Sequence, residues 1–221
     1  MWYTEAGKYN VLPIDSRGTL RLAEERPQLA VERTRYEYYA GTQMILSNAA
    51  PRLLNVDHSV SVDATMPEGD VEGVLLAYGG NDGGISFYIK DGKLTYGHNY
   101  VAERHFRVES SKSLPSGRHI FSFQFKPTGK PDLAKGKGTP GHVTLLVDGK
   151  PVGEGDVPVT IPLSMGLGAG ITIGADTGSP TMPDYDPPFK FTGTVNKAWV
   201  DVSGDRVEDY EERMRIYLAR Q

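Results

Sequence analysis

The densest polar constellation in the sequence is Gly174-Ala-Asp176-Thr-Gly178, followed by Met182-Pro-Asp184-Tyr185-Asp186-Pro-Pro188. Three carboxylates fall within eleven residues, on a loop stiffened by Pro180, Pro183, Pro187 and Pro188. Calcium prefers oxygen ligands, which makes Asp176, Asp184 and Asp186 candidate metal ligands. The same groups suit a division into acid and base for hydrolysis. They equally suit Asx turns that satisfy the loop's own backbone amides.

A second set is aromatic and basic. Tyr96, His98 and Tyr100 alternate along one segment, with Asn99 on the opposite side and Arg104-His105 opening the next. Alternate residues of a strand share a face. Rings, an amide and a cation on one face suit a sugar or an anionic sugar, and the same pattern also fits an ordinary packed face. If the chain binds or transforms a small ligand, the expected pocket lies on the concave sheet. It is lined by Tyr78, Tyr96, His98, Tyr100 and Arg104, with Asp176, Asp184 and Tyr185 closing one side. Gly79-Gly-Asn81-Asp82-Gly-Gly84 is not a phosphate loop, because no Lys-Ser/Thr follows it. His58, His119 and His142 have no metal-ligand spacing. No Gly-x-Ser-x-Gly segment is present and no Ser-His-Asp triad can be argued.

The elements that must position these residues are mostly strands. Val60, Val62, Ala64 and Met66 alternate with polar residues, and strand-like runs follow at 73–78, 85–90, 94–100, 104–109, 120–125, 142–147, 171–173 and 194–202. Asp91-Gly92 and Asp148-Gly149 mark tight hairpins. Trp2, Ala6 and Tyr9 fall at helical spacing, as do Val207, Tyr210, Met214 and Leu218. The expectation is an all-β, two-sheet antiparallel sandwich of about 11–14 strands. Residues 1–57 are a helix and extended lead-in, 58–203 the sandwich, and 204–221 an amphipathic helix. The Gly-, Pro- and Lys-rich stretch 127–141 reads as an exposed loop.

Composition excludes several classes. With 221 residues and no cysteine, thiol catalysis, zinc fingers and disulfide scaffolds are out. The net charge of −4, with no basic stripe, argues against nucleic acid as a partner. The longest apolar runs are far short of the roughly 20 residues of a membrane span. The N-terminus shows no signal-peptide pattern, so the default expectation is cytoplasmic.

Several segments together resemble the C-terminal, non-catalytic region of bacterial formylglycine-type arylsulfatases. They are Glu5-Ala-Gly-Lys-Tyr-Asn-Val-Leu-Pro-Ile-Asp15, Tyr38-Tyr39-x-Gly41, Ala49-Ala-Pro51, Glu72-Gly-Val-Leu-Leu76 and the paired glycines of 79–84. They continue with Leu114-Pro115-x-Gly117-x-His119, Gly136-Lys-Gly138, Val147-Asp-Gly149, Gly174-x-Asp176-Thr-Gly178-x-Pro180 and Pro188-Phe-Lys-Phe-Thr-Gly193. The resemblance implies a concanavalin- or laminin-G-like jelly roll with short terminal helices. Its implied partner is a sulfatase catalytic domain or a second copy, and the large apolar residues near the chain ends, Trp2, Tyr3, Tyr9, Met214 and Leu218, are the expected docking surface. The sulfatase nucleophile has no counterpart here: Ser113-Leu-Pro115-Ser-Gly117 carries glycine where the family has arginine. Hydrolysis of aryl sulfates is therefore not expected. Two alternatives to an accessory module remain, a carbohydrate-binding module using the Tyr96–Tyr100 face and a small hydrolase or lyase with its own site.

Overall fold

The computed structural model describes residues 1–9, 33–47, 49–166 and 169–203. The chain divides into two units, Met1–Pro27 with Glu208–Gln221, and Gln28–Val207. In the first unit, helix α1 (Trp2–Lys8) carries Glu5 in its first turn and Lys8 in its last, both favourable to the helix dipole. Ala6 is buried, whereas Trp2, Tyr3 and Tyr9 are exposed. The expected C-terminal helix, with Met214 and Leu218, lies outside the described residues. No described helix is long and apolar enough to cross a membrane.

The second unit is a sandwich of two sheets. One contains β1 (Arg35–Tyr39), β3 (Asp57–Met66), β8 (Gly117–Pro127), β9 (Gly141–Val147), β10 (Lys150–Val157) and β14 (Thr194–Ser203), in the order β1-β14-β3-β8-β9-β10. The other is built on β4 (Gly73–Gly80), β5 (Gly83–Lys90), β6 (Lys93–Tyr100) and β7 (Arg104–Glu109). Its far edge is extended by β2 (Ile45–Leu46), β11 (Gly170–Ile173), β12 (Ala175–Asp176) and β13 (Phe189–Lys190). Pairing is antiparallel except for one parallel contact, Lys190 with Val74.

The period-two pattern builds the core directly. Across the six-stranded sheet, Val200, Val60, Phe123 and Leu145 stand in one row, and Ala198, Val62, Phe121 and Val147 in the next. From the other sheet Leu76, Phe87, Tyr96 and Val108 form the facing row. Phe123 meets Phe87 and Tyr96 edge-on at 5.2 and 4.8 Å. Burial of each such ring contributes about 1.5–3 kcal/mol.

The two Asp-Gly hairpins form as expected, with positive φ at Asp91, Gly92, Asp148 and Gly149. The glycines of 79–84 close the β4–β5 hairpin. At Gly84 (φ +155) a Cβ would lie 2.4 Å from the Tyr78 carbonyl oxygen. The stretch 127–141 is less exposed than its composition suggests. A short 3-10 turn (Leu133–Lys135) is N-capped by Asp132, and Leu133 and Thr139 are buried.

The β6–β7 hairpin holds two consecutive side-chain-bearing residues in the left-handed region, Val101 (φ 45) and Ala102 (φ 60). Each is worth roughly 1–3 kcal/mol of strain, most at a β-branched residue. Asn99 Oδ1, accepting from the Ala102 amide at 2.9 Å, helps hold the turn. Replacing the pair by Asn-Gly should therefore raise the unfolding free energy by about 1–3 kcal/mol in urea denaturation. A gain below about 0.5 kcal/mol would mean the turn is relaxed in solution.

Candidate functional site

The expected pocket is not assembled, because its residues belong to opposite faces of one sheet. Tyr78, Tyr96 and His98 point inward and are all but fully buried. They are in phase with Leu94 and Phe87, and that phase faces the other sheet. His98 accepts from the Ile161 amide at 3.3 Å and lies 3.3 Å from the Tyr96 hydroxyl. Burial drives the His98 pKa down to about 3, helped by the nearby His58, and pushes Tyr78 up to about 12. Tyr100, at the end of the same row, is buried and donates to the Gly136 carbonyl at 2.8 Å. Arg104 lies exposed over its ring at 5.7 Å and pairs with Glu103. Asn99 points the other way and is buried, donating to the carbonyls of Gly80 and Asn81. It organises a turn and offers nothing to a ligand. His105 is exposed on the outer side of β7.

The carboxylate loop covers the outer face of this sheet. Met182 and Tyr185 pack with Val74, Ala77 and Tyr88, and Phe189 stacks on Tyr185 at 4.8 Å. Glycine at position 97 makes room for the loop, since a Cβ there would lie 2.6 Å from the Met182 Cγ. Asp176, 3 % exposed, is the anchor. Its Oδ2 accepts from the Tyr185 hydroxyl at 2.7 Å and the Thr181 amide at 3.1 Å. Tyr185 also lies 2.8 Å from Ser86 Oγ. Asp184 Oδ2 accepts from the Tyr88 hydroxyl at 2.8 Å and faces Arg107 at 3.8 Å, while Lys90 donates to the Asp184 carbonyl. Asp186 is exposed. Among the described residues no three His, Asp or Glu side chains come together as a metal ligand set. Asp176 and Asp184 thus anchor the loop, and Asp186 adds surface charge.

The surface with chemistry to offer is the outer face of the six-stranded sheet. Glu37, Trp199, Ser61, Ser122 and Leu146 form one row across it. Trp199 is partly exposed, with the Arg35 guanidinium over its ring at 5.2 Å. Ser122 donates to Ser61 at 2.9 Å. Tyr39, 61 % exposed, stands in the adjoining row beside Lys197 and Asp63. Charges beside the indole are paired. Lys197 meets Glu37 at 2.8 Å, Arg35 meets Glu37 and Asp201 at 3.5 Å, and Arg118 grips Asp63 through two bonds of 2.9 and 2.6 Å. The bonds from Lys197 and Arg118 hold the carboxyls of Glu37 and Asp63 below their ordinary range. A bulge in β14 between Val195 and Lys197 turns Asn196 outward, where it donates to Asp63 at 3.0 Å. Sequence reasoning placed this strand correctly and passed over its polar side. Alternation of Lys197, Trp199 and Asp201 against Ala198 and Val200 was the available signal.

No protein-family model and no curated protein matches this chain. Similar solved structures include a K499G mutant of NanB sialidase from Streptococcus pneumoniae, with a TM-score of 0.51 at 12 % identity over 80 % of this chain and 27 % of that one. NanB plus Optactamide gives 0.53 at 13 % identity, over 82 % and 27 %. The IT-sialidase CBM40 of Ruminococcus gnavus gives 0.47 at 15 % identity, over 83 % and 97 %. The match therefore spans about a quarter of the NanB chains. At such identities the likeness concerns the fold, and the chain is a two-sheet antiparallel jelly roll.

Proposed function

We propose that this chain is a non-catalytic jelly-roll module that binds a neutral glycan across the outer face of its six-stranded sheet. The observation that carries the reading is Trp199, partly exposed in a row with the Ser61 and Ser122 hydroxyls and ringed by paired charges. An indole face takes the C–H side of a sugar ring, and planar guanidinium and carboxylate groups take its hydroxyls. Beside the indole, Arg35, Lys197 and Arg118 are matched by Glu37, Asp201 and Asp63, so among the described residues this part of the face carries no net positive charge, which favours a neutral sugar. The ligand takes the place above the indole that Arg35 now holds, and the guanidinium moves onto its hydroxyls. The resemblance to sulfatase C-terminal regions supports the accessory part of this reading, a module working beside a catalytic domain. With no cysteine, and Gly117 where the family has arginine, the chain lacks the sulfatase nucleophile segment.

Wild-type protein and a Trp199→Ala variant would be compared on an array of neutral glycans. The variant should bind at least about tenfold more weakly, a loss of roughly 1.4 kcal/mol, with its melting temperature close to wild type. Equal binding by both proteins would remove this face from the function.

A further inference from the structure

Inside the sandwich, where β3 and β6 face each other, a small cavity of about 10 Å³ is lined by Asn55, His58, Tyr96, His98 and Thr160 among apolar neighbours. The hydrogen bonds around it have forced directions. His58 Nδ1 lies 2.9 Å from the Val56 carbonyl, which only accepts, so Nδ1 carries the proton and Nε2 a lone pair. That Nε2 is buried and has no partner. His98 Nε2 accepts from the Ile161 amide, so its proton sits on Nδ1 and is donated to the Tyr96 hydroxyl oxygen. The Tyr96 proton must then point elsewhere. Thr160 donates its own proton to the Thr139 carbonyl at 2.7 Å, which leaves its oxygen free to accept.

We propose that this cavity is a binding site for one water molecule, which accepts from the Tyr96 hydroxyl and donates to His58 Nε2 and to Thr160 Oγ1. The volume is that of a single water, and such a site needs two to four polar partners, which these residues supply. A buried acceptor left unmade is costly, so the orphan Nε2 is itself a reason for the site to be filled. The water joins the amide of Ile161, His98, Tyr96, His58 and the carbonyl of Val56 into one chain. That chain ties the two sheets together through polar contacts in an otherwise apolar core. This site is separate from the glycan face and does not depend on it.

Two measurements on the full chain test the assignment. A high-resolution crystal structure should place one water within hydrogen-bond reach of Tyr96 Oη and His58 Nε2. Long-range ¹H–¹⁵N correlation spectra at neutral pH should show both imidazoles protonated at Nδ1. A Tyr96→Phe variant, which removes the hydroxyl that accepts from His98 and donates to the water, should lose the water. An empty cavity in the wild type, a His58 protonated at Nε2, or a water retained in Tyr96→Phe would each overturn the proposal.

Discussion

Acidification from pH 6.5 towards pH 4 should destabilise this protein by on the order of 5 kcal/mol, and the cause is two buried imidazoles. Burial drives His58 down to about 4, against its bond to the Val56 carbonyl, and His98 down to about 3. In the unfolded chain both titrate near the ordinary value of about 6.5. Below that pH the unfolded state binds more protons, so stability is intact above about 6.5 and is lost as pH falls towards the folded values. Each tenfold gap in proton affinity is about 1.4 kcal/mol, which gives about 3 kcal/mol for His58 alone. The whole stability of a domain is only about 5–15 kcal/mol. Phe123 and Phe125 pack on His58, the polar residues sharing the cavity with the two rings are Tyr96, Thr160 and Asn55, and among the described residues no carboxylate lines it to welcome a charge.

Other titrations do not mask the effect. Asp63, Asp132 and Asp148 are held low by their partners and surrender that stabilisation only below about pH 4. His119 and His142 act with the opposite sign. Asp148 and Asp156 raise them, so their contribution is complete below about 6.5 and fades as pH rises through their folded values. Both lie at the surface, where such pairs contribute little. Urea unfolding between pH 4.5 and 7 should show uptake of about two protons near pH 5. A flat stability profile over that range would mean the imidazoles are open to bulk solvent or partnered by acids.

Replacing Asp176 with alanine should cost on the order of 3 kcal/mol. The carboxylate is buried and receives two donors, the Tyr185 hydroxyl and the Thr181 amide. Removing it leaves the amide unpaired and the tyrosine with Ser86 alone, at about 1–3 kcal/mol per stranded group. The loop it anchors covers Val74, Ala77 and Tyr88, so loosening it also wets that face. For a domain of this size the melting temperature should fall by roughly 6–12 °C. Asp186→Ala, an exposed substitution, should stay within about 0.5 kcal/mol. Equal effects from the two variants would contradict the anchoring role and reopen the carboxylates as a ligand set.

The sequence was most legible where one face of a strand is apolar and the other polar. The alternation in β3, β8 and β9 gave both the strands and their inward residues, because the outer face of that sheet is polar. It failed on β4, β5 and β6, which are buried on both faces. There the loop through Met182 and Tyr185, distant in sequence, supplies the second covering layer. Alternation there tells which residues share a face but not which face looks inward, so Tyr96 and His98 fit an open binding face and a packed one equally well in sequence, and the structure packs them. Strand β10 was missed because Lys-Pro-Val-Gly-Glu-Gly-Asp-Val carries no alternation at all. Its pairing with β9 across Asp148-Gly149 defines it.

A glycan docked on Trp199 must perturb the emission of that residue. The chain has two tryptophans, Trp2 and Trp199, so a Trp2→Phe variant reports from the sheet face alone. Titrating this variant with the neutral glycans retained on the array should give a saturable change in emission, with the same affinity found by calorimetry. Calorimetric binding that leaves the Trp199 emission unchanged, or no heat with any neutral glycan, would contradict the account.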